Sequence, residues 1–118
     1  MALPQQKFRE IVFQLLYSRE LFTPDDEVMM TLMMGELAVS KRNVRLALQR
    51  VAQIKEKLPE IDQLITSVSF SYDFERIQAV TLTILRLGVF EIYFDDEIPP
   101  KVAIAEAMRL SRKFNTPE

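Results

Sequence analysis

Two runs of three acids, Asp25-Asp26-Glu27 and Asp95-Asp96-Glu97, are the residues whose type and spacing come nearest to chemistry. Clustered carboxylates can hold a divalent cation through oxygen ligands or serve as a general acid and base. A calcium loop, however, spaces its ligands at alternate positions around a glycine turn. Neither run does so. Thr23-Pro24 stands before the first run and Pro99-Pro100 follows the second. Acids favour the positive start of a helix, and the residue before a proline avoids helical geometry. Both runs therefore read as punctuation between helices. Glu10, Glu75 and Glu91 stand singly near arginines and read as surface ion pairs rather than catalytic carboxylates.

The rest of the composition closes most routes to catalysis. The 118 residues contain no histidine and no cysteine, which removes disulfides, thiol nucleophiles, the usual zinc sites and every Ser–His or Cys–His arrangement. With only Gly35 and Gly88, no glycine-rich phosphate loop can be written. No cofactor or metal is expected.

Charge is uneven along the chain. The total is −2, yet Lys41, Arg42, Arg45, Arg50, Lys55 and Lys57 fall in one short segment. Lys101, Arg109, Arg112 and Lys113 outnumber Glu106 near the C-terminus. A local basic face can bind RNA while the whole molecule stays acidic. The alternative is a solvated helix surface.

The elements that carry these residues are all helical by pattern. Phe8, Ile11, Val12, Leu15 and Leu16 repeat at three and four within 5–21, and Tyr17 near that helix's end suits core packing or a partner contact. Thr23-Pro24-Asp25-Asp26 predicts a helix start, and the methionine-rich helix it opens runs to about Ala38. Ser40 is the next cap, with Val44, Ala47, Leu48, Val51, Ile54 and Leu58 as the buried stripe. Pro59 predicts a kink or short break before Ile61, Leu64, Ile65 and Val68. Asp73 caps a helix from Phe74 to Phe94 that is apolar on most sides, the kind that others pack against. After Pro99-Pro100, the residues Ala103, Ala107, Leu110 and Phe114 form the last stripe.

The expectation is one all-α domain over 1–118, a compact bundle of about six short, mostly antiparallel helices. The longest uncharged stretch, Gln63 to Tyr72, is about ten residues, far below the roughly twenty that cross a bilayer. A cytoplasmic protein without membrane contact is expected. Asn115-Thr116-Pro117-Glu118 repeats the logic of Thr23-Pro24-Asp25 and predicts a further C-terminal helix that is missing. The groove left open by its absence could be filled by a second copy of the chain.

Three blocks in order resemble the NusB (N-utilisation substance B) family of bacterial transcription antitermination factors. "FREIVFQLLYS" from Phe8 to Ser18 is similar to the family's first helix, and "ILRLGVFEI" from Ile84 to Ile92 to its central helix. "IPPKVAIAEAMRLSRKF" from Ile98 to Phe114 resembles the family's Pro-x-x-Val-Ala-Ile-Asn-Glu-Ala run, and Ile61-Asp62 fits a fourth, weaker block. The resemblance implies a NusB-like fold and no enzyme activity. It also implies pairing with NusE, a small-subunit ribosomal protein, binding of boxA-type RNA, and entry into the complex that keeps RNA polymerase from terminating, including on ribosomal RNA operons.

By the same resemblance Gln5, Gln6, Lys7, Arg9 and Lys101 would contact RNA, and Tyr17, Glu75 and Thr81 would face NusE. The chain departs from the family at several points. Its N-terminal arm carries only two cations, Lys7 and Arg9, where the family is often arginine-rich. Ala105 stands where asparagine is usual, Gly88 for alanine, Phe90 for tyrosine, and Thr81 at a position often acidic. Two other readings stay open: a helical interaction module with lost or weak RNA binding, and the NusB-like domain of a ribosomal RNA cytosine methyltransferase.

Overall fold

A computed structural model describes residues 4–21, 40–68 and 77–114, and the described residues form five helices. The methionine-rich helix expected after Thr23, the expected Asp73 cap, Glu75 and the terminal Asn115-Thr116-Pro117-Glu118 lie outside them. The chain divides into two compact units, Met1–Gln53 and Ile54–Glu118.

In the first unit, α1 spans Gln5–Leu21. Pro4 starts it by accepting the Phe8 N–H at 3.0 Å. Ile11, Val12, Leu15 and Leu16 are buried as their spacing predicts, and Phe13 joins them. A fully buried side chain of this kind contributes about 1.5–3 kcal/mol. Helix α2 spans Lys41–Glu56, and its last three residues belong to the second unit. Ser40 caps it as expected, since its Oγ accepts the Asn43 N–H at 3.2 Å and its carbonyl accepts the Val44 N–H at 3.1 Å. Val44, Ala47, Val51 and Ile54 make the buried stripe.

The second unit holds α3 (Leu58–Val68), α4 (Ala79–Phe94) and α5 (Pro100–Phe114). The break predicted near Pro59 falls at Lys57. The Lys57 N–H turns back to the Ile54 carbonyl at 3.0 Å, and its own carbonyl accepts the Ile61 N–H at 2.9 Å. Pro59 then sits in the first turn of α3, where a missing N–H costs no hydrogen bond. Ile61 and Ile65 are buried, whereas Val68 at the end of α3 is exposed.

Helix α4 starts at Ala79 rather than Phe74. Gln78 is extended, at φ −61° and ψ 146°, and accepts the Leu82 N–H at 2.8 Å without any side-chain cap. The helix packs on both α3 and α5. Gly88 sits over Ala107 of α5, and a Cβ placed on it would lie 3.6 Å from the Ala107 Cβ. Helix α5 opens with Pro100, and the Pro99 carbonyl accepts the N–H groups of Val102 and Ala103. Ala103 and Leu110 are buried and Ala107 and Phe114 are half-buried, so the stripe lies where its spacing put it. No helix among the described residues is long and apolar enough to cross a membrane.

Candidate functional site

The acids that open the α4–α5 link make a turn. Asp95 ends α4 in extended geometry, its Oδ1 accepts the Glu97 N–H at 3.0 Å, and its carbonyl accepts the Ile98 N–H at 3.3 Å. This side-chain-to-backbone turn is the ordinary structural use of aspartate between elements. Among the described residues no group of three or more acids could hold a metal ion.

Two carboxylates hold arginines in two-pronged pairs instead. Arg86 of α4 is buried and reaches Asp62 of α3 with both prongs of its guanidinium, Nε to Oδ1 and Nη2 to Oδ2, each at 2.9 Å. Glu106 of α5 is buried as well and takes the Arg109 guanidinium through both oxygens at 3.0 and 3.1 Å. Such two-pronged pairs fix orientation as well as charge. Glu91, expected in a surface ion pair, is buried at 5% exposure. It lies on a face of α4 that also buries Leu87, four residues earlier. The Glu106–Arg109 pair could have been found from its i,i+3 spacing. The Asp62–Arg86 pair could not, because 24 residues separate its partners.

The residues expected at RNA divide between the two units. In the first, Gln5 and Gln6 are exposed and Lys7 is half-buried, all in the opening turn of α1. No acid occupies that first turn, whose amide and ammonium groups stand at the positive helix end. Arg9 is different: it is 5% exposed, held within the fold and not part of the outer surface. In the second unit, Lys101 is exposed in the first turn of α5.

The residues expected to face a protein partner are spread in the same way. Tyr17 is half-buried and stacks in parallel on Phe13, with ring centroids 6.1 Å apart and planes 9° apart. Ten residues separate it from Lys7, about 15 Å along a helix axis, so the two occupy opposite ends of α1. Thr81 is half-buried in the first turn of α4, and Glu75 lies outside the described residues.

Elsewhere in the second unit, an open hollow of about 380 Å³ is lined by Glu60, Gln63, Leu64, Ser67 and Phe94. The Lys57 ammonium lies 5.4 Å from the centre of the Phe94 ring. The exposed groups on these helices suit binding: cations and amides toward an anion, aromatic and apolar edges toward a protein.

Comparison with known proteins places the chain in a family. The model of the NusB family matches residues 6–118. The chain is 36% identical over 115 residues to the transcription antitermination protein NusB of Chlamydia pneumoniae, covering 98% of this chain and 72% of that one. It is 35% identical over 113 residues to the protein of the same name in Lachnoclostridium phytofermentans, covering 93% and 85%. The Chlamydia muridarum protein of that name is 35% identical over 115 residues, covering 95% and 70%. With a family model spanning all but its first five residues, this chain belongs to the NusB family.

Proposed function

We propose that this chain carries out transcription antitermination by pairing with NusE and binding boxA-type RNA within the RNA polymerase antitermination complex, in the cytoplasm. It is a non-enzymatic factor of the NusB family, and antitermination is the activity its relatives share by name. In this reading residues 1–118 act as one NusB-like domain, consistent with an unbroken family match from 6 to 118. Gln5, Gln6, Lys7 and Lys101 supply RNA contacts, with Arg9 bracing the arm from inside. Tyr17, Glu75 and Thr81 face NusE.

The observation that supports the RNA half is the opening turn of α1, where exposed Gln5 and Gln6 and half-buried Lys7 stand at a positive helix end with no acid in its first turn. The deciding experiment is a titration of boxA-like RNA with and without NusE. Tighter binding of boxA-like RNA than of a scrambled RNA, enhanced by NusE, is expected. Equal affinity for the two RNAs removes the sequence-specific part.

Burial of Arg9 favours a second reading, a NusE-binding module whose RNA affinity is weak, because each lost phosphate contact weakens binding and flattens its salt dependence. It predicts full NusE binding with RNA affinity no better than non-specific. Pairing of two copies is a further expectation, supported by Ile104 and Met108, which stand one turn apart on α5 at 53% and 56% exposure. Light scattering of the full chain that gives a monomer mass at high concentration excludes it.

A further inference from the structure

We propose that the outer face at the head of α2, formed by Lys41, Arg42, Arg45 and Gln49, is a second RNA-contacting surface that grips the phosphate backbone without reading sequence. The proposal rests on the RNA-binding reading above and assigns part of the electrostatic work to residues outside the α1 arm.

Four observations meet at this face. Lys41, Arg42, Arg45 and Gln49 are all exposed, while Val44, Ala47 and Val51 of the same helix are buried, so the cations share the solvent side. None of the three cations makes an ion pair among the described residues. Helix α2 has five cations against one acid, Glu56, and no acid in its first turn, within a chain of net charge −2. Lys41 and Arg42 also sit at the positive helix end, where like charge is unfavourable and a plain solvated helix places acids instead. This placement costs stability and leaves a local positive field for a polyanion.

The side chains favour nucleic acid over an acidic protein. Phosphate oxygens are contacted by Arg, Lys and Gln side chains, which is the inventory of this face. Protein interfaces centre on aromatic or large apolar anchors. On α2 one exposed large apolar side chain is present, Leu46, and no aromatic residue. The α1 arm brings one half-buried lysine to its surface, so a sequence-blind contact elsewhere supplies charge that the arm lacks.

The test compares the full chain with its Lys41→Gln/Arg42→Gln/Arg45→Gln variant, and with a Gln63→Glu/Ser67→Glu/Gln78→Glu control that lowers the net charge by the same three units at exposed positions of the second unit. Each is titrated with labelled boxA-like RNA and with a scrambled RNA of equal length at several salt concentrations. Glutamine is a good helix former, and removing cations from a positive helix end does not endanger folding. Circular dichroism verifies that. The triple variant is expected to weaken both RNAs equally and to flatten the log–log salt slope by about 2, given roughly 0.7 per single-strand phosphate contact. The control is expected to leave the slope unchanged.

An unchanged slope in the triple variant, or an equal change in the control, overturns the proposal while leaving the α1 reading intact. A flattened slope together with equal wild-type affinity for both RNAs keeps this face and removes sequence-specific recognition. No wild-type binding of either RNA overturns both. A poly-glutamate peptide that competes as well as RNA assigns the face to an acidic protein partner and overturns the RNA assignment.

Discussion

Arg86 in the second unit is buried with its guanidinium held by both oxygens of Asp62, whereas Arg42 and Arg45 in the first unit stand exposed with no ion pair among the described residues. The side chain is the same, but the surroundings are opposite. A buried guanidinium has left water and relies on partners fixed in place, so losing a two-pronged carboxylate leaves its charge poorly compensated in a poor solvent. An exposed guanidinium keeps its hydration and gains little from any single neighbour. Charge counted along a sequence does not separate these cases. Burial and partner geometry do, and they sort the basic residues of this chain into those that hold the fold and those that remain available to a ligand.

Mutations can break or sharpen that contrast. The largest effect is expected from Asp62→Ala, which takes from Arg86 the carboxylate that holds its Nε and Nη2 and removes that tie between α3 and α4. A loss of about 2–3 kcal/mol by urea denaturation is expected. A loss below about 0.5 kcal/mol would mean that Arg86 rehydrates easily and that the contrast is false. Glu106→Ala comes next, at about 1–2 kcal/mol, because Arg109 is only three residues away and partly exposed, so it can turn to water.

Gly88→Ala is expected to change stability in the other direction. Its new methyl meets Ala107 at ordinary van der Waals distance, and helical alanine is favoured over glycine by about 0.8–1.0 kcal/mol. A lowered melting temperature would show that α4 and α5 approach more closely than this spacing. The smallest stability change belongs to the Lys41, Arg42 and Arg45 triple glutamine variant, whose melting curve should be unchanged or slightly raised. Its consequence is expected in RNA binding alone, and that separation is the sharpest form of the contrast.

Where the sequence was legible, local chemistry carried the signal. Ser40 before a basic amphipathic run and Pro99-Pro100 after an acid run are strong boundary marks, and helices begin beside both. The start of α4 left no such mark, because Gln78 is not a capping residue and its role rests on backbone geometry alone. Arg9 looked like a surface cation and Glu91 like a surface acid because charged side chains are rarely buried. Both are 5% exposed, and their helical spacing from buried apolar residues, Val12, Phe13 and Leu16 for Arg9 and Ile84 and Leu87 for Glu91, is the signal that their charge hides. The RNA contacts proposed on α1 and at Lys101 and the NusE contacts proposed at Tyr17, Glu75 and Thr81 rest on family resemblance, whereas the basic run of α2 is legible as charge. No spacing rule selects Lys7 or Thr81 over other polar residues on the same helices.

The joint at Lys57 has a consequence for how this chain can change length. Its N–H and its carbonyl are both engaged, to Ile54 and from Ile61, so two helices meet there with no spare residue between them. Adding or deleting one residue would rotate Ile54 by about 100° relative to Ile61 and Ile65, all three now buried. It would also draw Lys57 away from the Phe94 ring. Substitutions along 54–65 can be absorbed side chain by side chain, but an insertion shifts the phase of every position at once. Length variation is therefore expected to be excluded from this joint and tolerated at helix ends that carry no such double engagement.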